Sequence, residues 1–331
     1  GALAAGNTVV LKPSAYAPHM AKELEELLGA CFPPEYVAVV QGGREANTAL
    51  LEQRFDYIFF TGSVAVGKLV MERAAAHLTP VTLELGGKSP CIVDRTANVK
   101  LAAKRIAFGK LLNCGQTCVA PDYILVERSV KDEFLVYLKK WIVRMYGADA
   151  TENDAYVKMI NRKHFDRVTG LIDPEKVVFG GGWNERTVQI QPTILDDVTA
   201  EDAVMQEEIF GPIFPILPVD SMAEAEEFIC KREKPLALYL FTQNKALAER
   251  FLRYVPFGGG CINDTIIHLA TSRMGFGGVG GSGMGSYHGR HSFDTFTHYK
   301  SVLKKANWLD LPMRYHPYKD SNLKLIKFFL H

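Results

Sequence analysis

The chain has 331 residues, 47% hydrophobic and 23% charged, ordinary proportions for a globular protein with a sizeable core and room for two domains. Thirty-eight Lys and Arg stand against 37 Asp and Glu, a net charge of +1 that gives no electrostatic basis for binding nucleic acid or an acidic partner. No apolar run reaches the roughly 18 residues of a membrane-spanning helix, and the 6 scattered cysteines lack zinc-type spacing and read as free thiols of a reducing compartment.

Strand and helix patterns alternate over the first ~85 residues, the signature of a parallel sheet with right-handed crossover helices. Thr8–Leu11 reads as a strand, residues 17–28 as an amphipathic helix with Met20, Leu24, Leu27 and Leu28 on one face, and Tyr36–Val40 as a strand closed by Gly42-Gly43. A short helix follows over 45–53, a strand over 56–61, a helix over 64–77 and a strand over 80–85. A second α/β pattern runs to about residue 292, with helices predicted over 101–112, 130–144, 223–231 and 246–254. Strands are predicted there over 123–126, 177–179 and 237–242, with a turn at 256–260. Phe296–Tyr299 and Val302–Lys304 read as strand. In the tail from Asn322 to His331, Leu323, Leu325, Ile326, Phe328, Phe329 and Leu330 surround Lys324 and Lys327. Such a segment packs as a short helix on the body or a partner, or rests on a membrane surface, or covers a tunnel for apolar substrates.

Two places carry the chemistry. Asn113-Cys114-Gly115-Gln116-Thr117-Cys118 sets a cysteine among small residues, where it can act as an exposed nucleophile. Glu84, in Leu83-Glu84-Leu85-Gly86-Gly87-Lys88, sits where a carboxylate can activate water, and Lys88 is close enough in sequence to tune it. The pair suits attack on a carbonyl carbon followed by hydrolysis of the acyl-enzyme. Otherwise each residue is bland, a buried small cysteine and a strand-end carboxylate. Gly62 and Ser63 end a strand and open a helix, a place where backbone N–H groups favour a pyrophosphate. Gly278-Val279-Gly280-Gly281-Ser282-Gly283 satisfies G-x-G-x-x-G but follows no convincing strand, and reads as a flexible loop beside the active site. His288 and His291 form an isolated pair with no third ligand, so no metal is expected.

Seven segments taken in order resemble the aldehyde dehydrogenase superfamily, and its class 3 branch most. They are Gly1–Asn7, Val10–Ser14, Phe59–Ser63, Leu83–Lys88, Gly115–Tyr123, Glu207–Pro212 and Phe276–Gly280. The resemblance implies an α/β fold: a Rossmann-like parallel-sheet nucleotide-binding domain plus an α/β catalytic domain. Residues 1–84 would be the C-terminal portion of the NAD(P)-binding domain, 85–292 the catalytic domain, and 293–331 a bridging oligomerisation strand and tail. Cys118 becomes the nucleophile and Glu84 the general base of deacylation. Lys12, Gly62, Ser63, Gly67, Glu208 and Phe210 become coenzyme-binding residues, with Glu207 the alternative carboxylate if the register slips by one. Phe276 becomes a residue touching substrate or nicotinamide.

Relatives often carry Glu where this chain has Ala15. Without that carboxylate a 2′-phosphate is not repelled, so the coenzyme is NAD or NADP. The implied reaction is oxidation of an aldehyde to a carboxylic acid, on medium or long aliphatic, or aromatic, aldehydes. The implied protein is a cytoplasmic homodimer whose tail can touch a membrane surface. In the family the opening segment lies well inside the protein, so a fragment or truncated chain is expected, lacking about a hundred residues or more. The family's oxyanion-binding Asn would lie there, and neither Asn7 nor Asn113 matches its motif. Rival readings are a CoA-acylating dehydrogenase, which Glu84 opposes, and a truncated homologue of weak or no activity.

Overall fold

The computed structural model describes residues 1–330, in two compact units, Gly1–Phe296 and the segment from Thr297 onward. The first opens with β1 (Val9–Leu11), α1 (Pro18–Cys31), β2 (Val37–Val39) and α2 (Arg44–Leu51). β1 and β2 pair in parallel, as a crossover through a helix requires. β3 (Ile58–Gly62), α3 (Val64–Ala75) and β4 (Val81–Leu85) form a second such unit, whose register sets Thr61 beside Glu84 and Gly62 beside Leu85. α3 begins where it does because Ser63 caps it. Extended backbone there lets Oγ accept from the Val66 N–H at 3.4 Å. The helix buries Gly67, Val70 and Ala74, and Val70 joins Leu83 and Leu85 in a small apolar core.

A larger sheet follows. In chain order the elements are β5 (Pro90–Val93), α4 (Val99–Leu111), β6 (Tyr123–Glu127), α5 (Lys131–Tyr146), α6 (Arg162–Thr169), β7 (Val177–Phe179), β8 (Trp183–Asn184), β9 (Gln189–Ile190) and β10 (Thr193–Leu195). Then come α7 (Ala203–Gln206), β11 (Ile213–Val219), α8 (Met222–Cys230), β12 (Ala237–Phe241), α9 (Lys245–Tyr254) and β13 (Gly259–Ile262). Seven strands form one sheet, β13-β12-β5-β6-β11-β10-β7, parallel throughout except at β7. β5, β6 and β12 are buried along their whole length, which is why they are near-continuous apolar runs rather than alternating ones. The main core gathers on this sheet and on α4 and α5.

β14 (Gly283–Met284) then returns to the first region, antiparallel to β4 with Gly283 beside Glu84, and α10 (Gly289–Thr295) closes the unit. The Gly-rich segment is therefore not the flexible loop expected of it. Ser282 is fully buried, its Oγ accepts from the Val279 N–H at 2.9 Å, and the chain beyond it pairs with the strand that carries Glu84. The turn expected at 256–260 runs directly into β13.

The strand expected at Phe296–Tyr299 and Val302–Lys304 does not form among the described residues. Residues 297–305 pair with no strand among the described residues, and Val302 and Leu303 are exposed. The tail forms α11 (Asp320–Phe329), with Leu323, Phe328 and Phe329 exposed. His331, the end of the predicted tail segment, lies outside the described residues. No helix among the described residues is long and apolar enough to cross a membrane.

Candidate active site

Cys118 sits half-buried in a turn closed by the Ala120 N–H donating to Thr117 O at 2.9 Å. The backbone leading to it is strained. Asn113, Cys114 and Gly115 take left-handed φ values of 52°, 57° and 73° in succession. Only glycine fits at 115, because a side chain there would collide with the Gly211 carbonyl as well as suffer the positive φ. The surroundings hold this shape. The Gln116 amide donates to Asn113 O (3.2 Å) and Lys158 O (3.1 Å) and accepts from the Ile160 N–H (2.9 Å). The fully buried Cys114 thiol donates to Tyr156 Oη at 3.3 Å, and that hydroxyl donates to Ile190 O at 2.8 Å, so Cys114 is a packed structural thiol.

Burial pushes the Cys118 thiol up to about 11, and the Glu208 and Glu84 carboxylates beside it push the same way. The backbone N–H groups of Cys118 and Val119 partly offset this. The thiol is thus protonated at neutral pH and needs a base. Two carboxyls of suitable strength lie close by. Glu84 on β4 is 3% exposed, and neither carboxyl oxygen has a hydrogen-bond partner among the described residues. Burial raises it to about 7, offset in part by the Gly278 N–H, which is directed at it without reaching hydrogen-bond geometry. Burial, reinforced by Asp122, likewise raises Glu208 to about 7, against the Gly87 N–H and the charges of Lys110 and Lys88. Glu208 rests on the turn that follows Glu84, where any side chain on Gly86 would collide with its carboxylate.

Three side chains clamp the backbone that presents Glu208. Lys88 Nζ donates to Asp122, to Val204 O (2.9 Å) and to Glu207 O (2.9 Å). Asp122 Oδ1 accepts from the Ile209 N–H at 2.9 Å. The Arg167 guanidinium reaches the Glu207 carboxylate (3.2 Å), Glu208 O (3.1 Å) and Ile209 O (2.6 Å). Lys88 therefore acts on the Glu208 side of the site, and the expected influence on Glu84 is not found. Asp122, Arg167 and Gln116 drew no role from the sequence. For Gln116 and Asp122 a signal was present, since both lie inside the Gly115–Tyr123 segment.

Glu84, Cys118 and Glu208 are thus brought together, and the β3–β4 register brings Gly62 and Ser63 to the same edge, one residue beyond Glu84. Val64 and Ala65 are exposed in the first turn of α3, with N–H groups that helix geometry leaves unpaired. That helix start, together with the Glu208 carboxylate on its Gly-Gly turn, fits a dinucleotide at the C-terminal ends of parallel strands. Gly67 serves differently. It is buried, and a Cβ there would come within 2.5 Å of Leu85, so it lets α3 lie close on β4. Lys12, just beyond β1, donates to Pro13 O at 2.6 Å. Phe210 is partly exposed with a positive φ of 49°. Phe276 is buried, packed against His268, Tyr287 and His288 at ring separations of 5.8, 5.6 and 5.4 Å. Tyr287, which no sequence motif marks, packs its ring against Phe59, Phe276 and His288, and burial together with the Glu84 carboxylate raises its hydroxyl. Asn7 donates to Ala2 O and Phe296 O, and Asn113 to Gln116 O, so both side-chain amides have structural partners. Among the described residues no cluster of three metal-ligating side chains occurs.

The pattern of the Aldehyde dehydrogenase family matches residues 1–302. The 4,4'-diaponeurosporen-aldehyde dehydrogenase of Staphylococcus aureus is 50% identical over 331 residues, 99% of this chain and 72% of that protein. The dimeric NADP-preferring aldehyde dehydrogenase of Rattus norvegicus is 51% identical over 306 residues, 92% of this chain and 68% of that protein. The substrate-bound structure of Staphylococcus aureus AldH superposes with a TM-score of 0.96 at 49% identity, covering 99% of this chain and 72% of that one. The chain belongs to the aldehyde dehydrogenase family, a family of NAD(P)-dependent oxidoreductases.

Proposed function

We infer that the chain oxidises an aldehyde to a carboxylic acid through a thioester on Cys118, with Glu84 as the base of hydrolysis. The observation that carries this is the meeting of one half-buried thiol with two carboxyls of pKa about 7, on the sheet edge where α3 begins. Cys118 Sγ gives its proton to a neighbouring carboxylate or water and attacks the carbonyl carbon. The oxygen gains the negative charge and faces the Cys118 backbone N–H. Bound oxidised NAD or NADP supplies the acceptor for the hydride that leaves this carbon. What stays on Cys118 is a thioester. Glu84 takes a proton from water, the hydroxide attacks the thioester carbon, and the C–S bond breaks to release the carboxylic acid and the thiol.

In this reading residues 1–84 are the C-terminal portion of the coenzyme-binding domain with Glu84 at its edge, 85–292 the catalytic domain, which also lends Glu208 to the coenzyme, and 293–331 serve a homodimer and its tail. The absence of a carboxylate at Ala15 accords with NADP as well as NAD. The apolar tail favours medium or long aliphatic aldehydes and a weak contact of this cytoplasmic protein with a membrane surface. The test is to mix protein, NAD and an aliphatic aldehyde, quench in acid and weigh the Cys118 peptide. An acyl adduct on Cys118 is expected. Cys118→Ser should show no adduct and lose activity by on the order of 10³ or more while still binding coenzyme. Turnover persisting in Cys118→Ser would sink the reading.

A further inference from the structure

Lys110 lies in the last turn of α4, just before the strained loop, with its backbone carbonyl against Gly115. Its side chain is 1% exposed, and its ammonium has no hydrogen-bond partner among the described residues. A lysine this buried is almost always paired, because an unpaired charge in a dry site is costly. The Lys110 and Gly211 carbonyls both press on Gly115, which sets the lysine beside the segment that carries Glu208, and the groups whose charge acts on its ammonium are Asp122, Lys88, Glu208 and Cys114. Three of them are already engaged. Asp122 holds Lys88 and the Ile209 N–H, Lys88 also holds two carbonyls, and Cys114 donates to Tyr156. Glu208 is the remaining carboxyl, and it forms no ion pair among the described residues, Arg167 being bound to its backbone and to Glu207.

The geometry points to Lys110 as a positioning residue, a fixed buried cation behind Glu208 that keeps its carboxylate ionised against Gly86 and Gly87, ready to accept hydrogen bonds from a ligand's hydroxyls. The inference rests on the reading of Glu208 as a coenzyme-ribose residue. Burial and Asp122 oppose ionisation of Glu208, while Lys110, Lys88 and the Gly87 N–H favour it. Of the two lysines, Lys88 is already committed to Asp122, so Lys110 is the one whose charge is unshared. At neutral pH it is still charged, since burial lowers it only to about 8.

The first measurement needs no coenzyme. The rate at which iodoacetamide alkylates Cys118 is followed by peptide mass across pH. Of the two carboxylates that oppose the thiolate, Glu208 does so more strongly, so the rise of rate with pH should break where Glu208 ionises, and Glu208→Gln identifies that break by removing it. Lys110→Met is expected to move the break to higher pH by about one unit or more, and Lys110→Arg to leave it in place. In the Glu208→Gln background Lys110→Met should change nothing further. The second measurement is the NAD dissociation constant by titration. Native protein and Lys110→Met should agree at high pH and diverge on the acid side, about tenfold for each pH unit by which the break moves. A break that does not move, with NAD binding weakened equally at every pH, would reduce Lys110 to packing and overturn the inference. A break that moves while Glu208→Gln binds NAD like native would uphold the Lys110–Glu208 coupling and remove Glu208 from the coenzyme site instead. If Lys110→Met loses the native circular dichroism, Lys110→Gln makes the same comparison.

Discussion

At the scale of single residues, the raised pKa of Glu84 decides when the site can turn over. A general base works in its ionised form, so the hydrolytic step should fade as pH falls below about 7. Glu84→Gln should remove that limb and let the acyl adduct accumulate, with turnover down by roughly 10²–10⁴. Burst kinetics with an aldehyde and NAD, at pH values on either side of 7, measure both. An unchanged steady-state rate in Glu84→Gln would pass the role to Glu208. Cys118 among small residues and Glu84 before Gly86-Gly87 could be read from their neighbours in sequence. Lys110 was not, because a lysine in an amphipathic helix belongs to the wet face unless something buries it. One signal was present: Lys110 lies four residues after Ile106 and seven after Ala103, both fully buried, so it shares their inner face of α4.

At the scale of elements, the first βαβ units were readable because their strands are short apolar runs closed by glycine or, after β1, by Lys12-Pro13, and amphipathic helical runs lie between them. The centre of the larger sheet was harder. β11 carries Pro215 and Pro218 inside the strand, where proline removes ladder donors and ordinarily argues against a central strand. β10 has only three residues, too few to show a period. β14 is a pairing that only the folded chain defines, since two residues after a Gly-rich stretch have no strand signature of their own. Its effect is nevertheless specific, because it seats Gly283 against Glu84. Gly283 has φ of 133°, and a Cβ there would collide with the Leu83 carbonyl. Gly283→Ala should therefore break the β14–β4 pairing and lower stability by about 1–3 kcal/mol. Hydrogen exchange at Leu83–Leu85 and a thermal melt report the two effects. Unaltered protection of those amides would show that β4 does not depend on β14.

At the scale of the whole molecule, three buried titratable groups of the site act against folding at the pH where the site works. Glu84 and Glu208 are raised from 4.5 to about 7 in the folded chain, so between those values the native state holds protons that the unfolded state has released, and stability falls as pH rises. Lys110 is lowered from 10.5 to about 8, so between those values the unfolded state holds the extra proton, and stability rises with pH. The two trends leave a trough between about pH 7 and 8, with the carboxylates ionised and the lysine still charged around its lower edge. For Lys110 alone the cost at neutral pH is of the order of a few kcal/mol, since each pKa unit corresponds to about 1.4 kcal/mol. Lys110→Met, which keeps the length and removes the charge, should melt several degrees above native at pH 7.5. The gap should close as pH rises through 10.5, above which Lys110 loses its charge in the unfolded state as well as in the folded one. A gap of the same size at both pH values would mean that the gain comes from packing rather than from charge. A gap that closes, alongside the acid-side loss of NAD binding expected of the same variant, would show that the charge weakening the fold is the one that keeps Glu208 ionised.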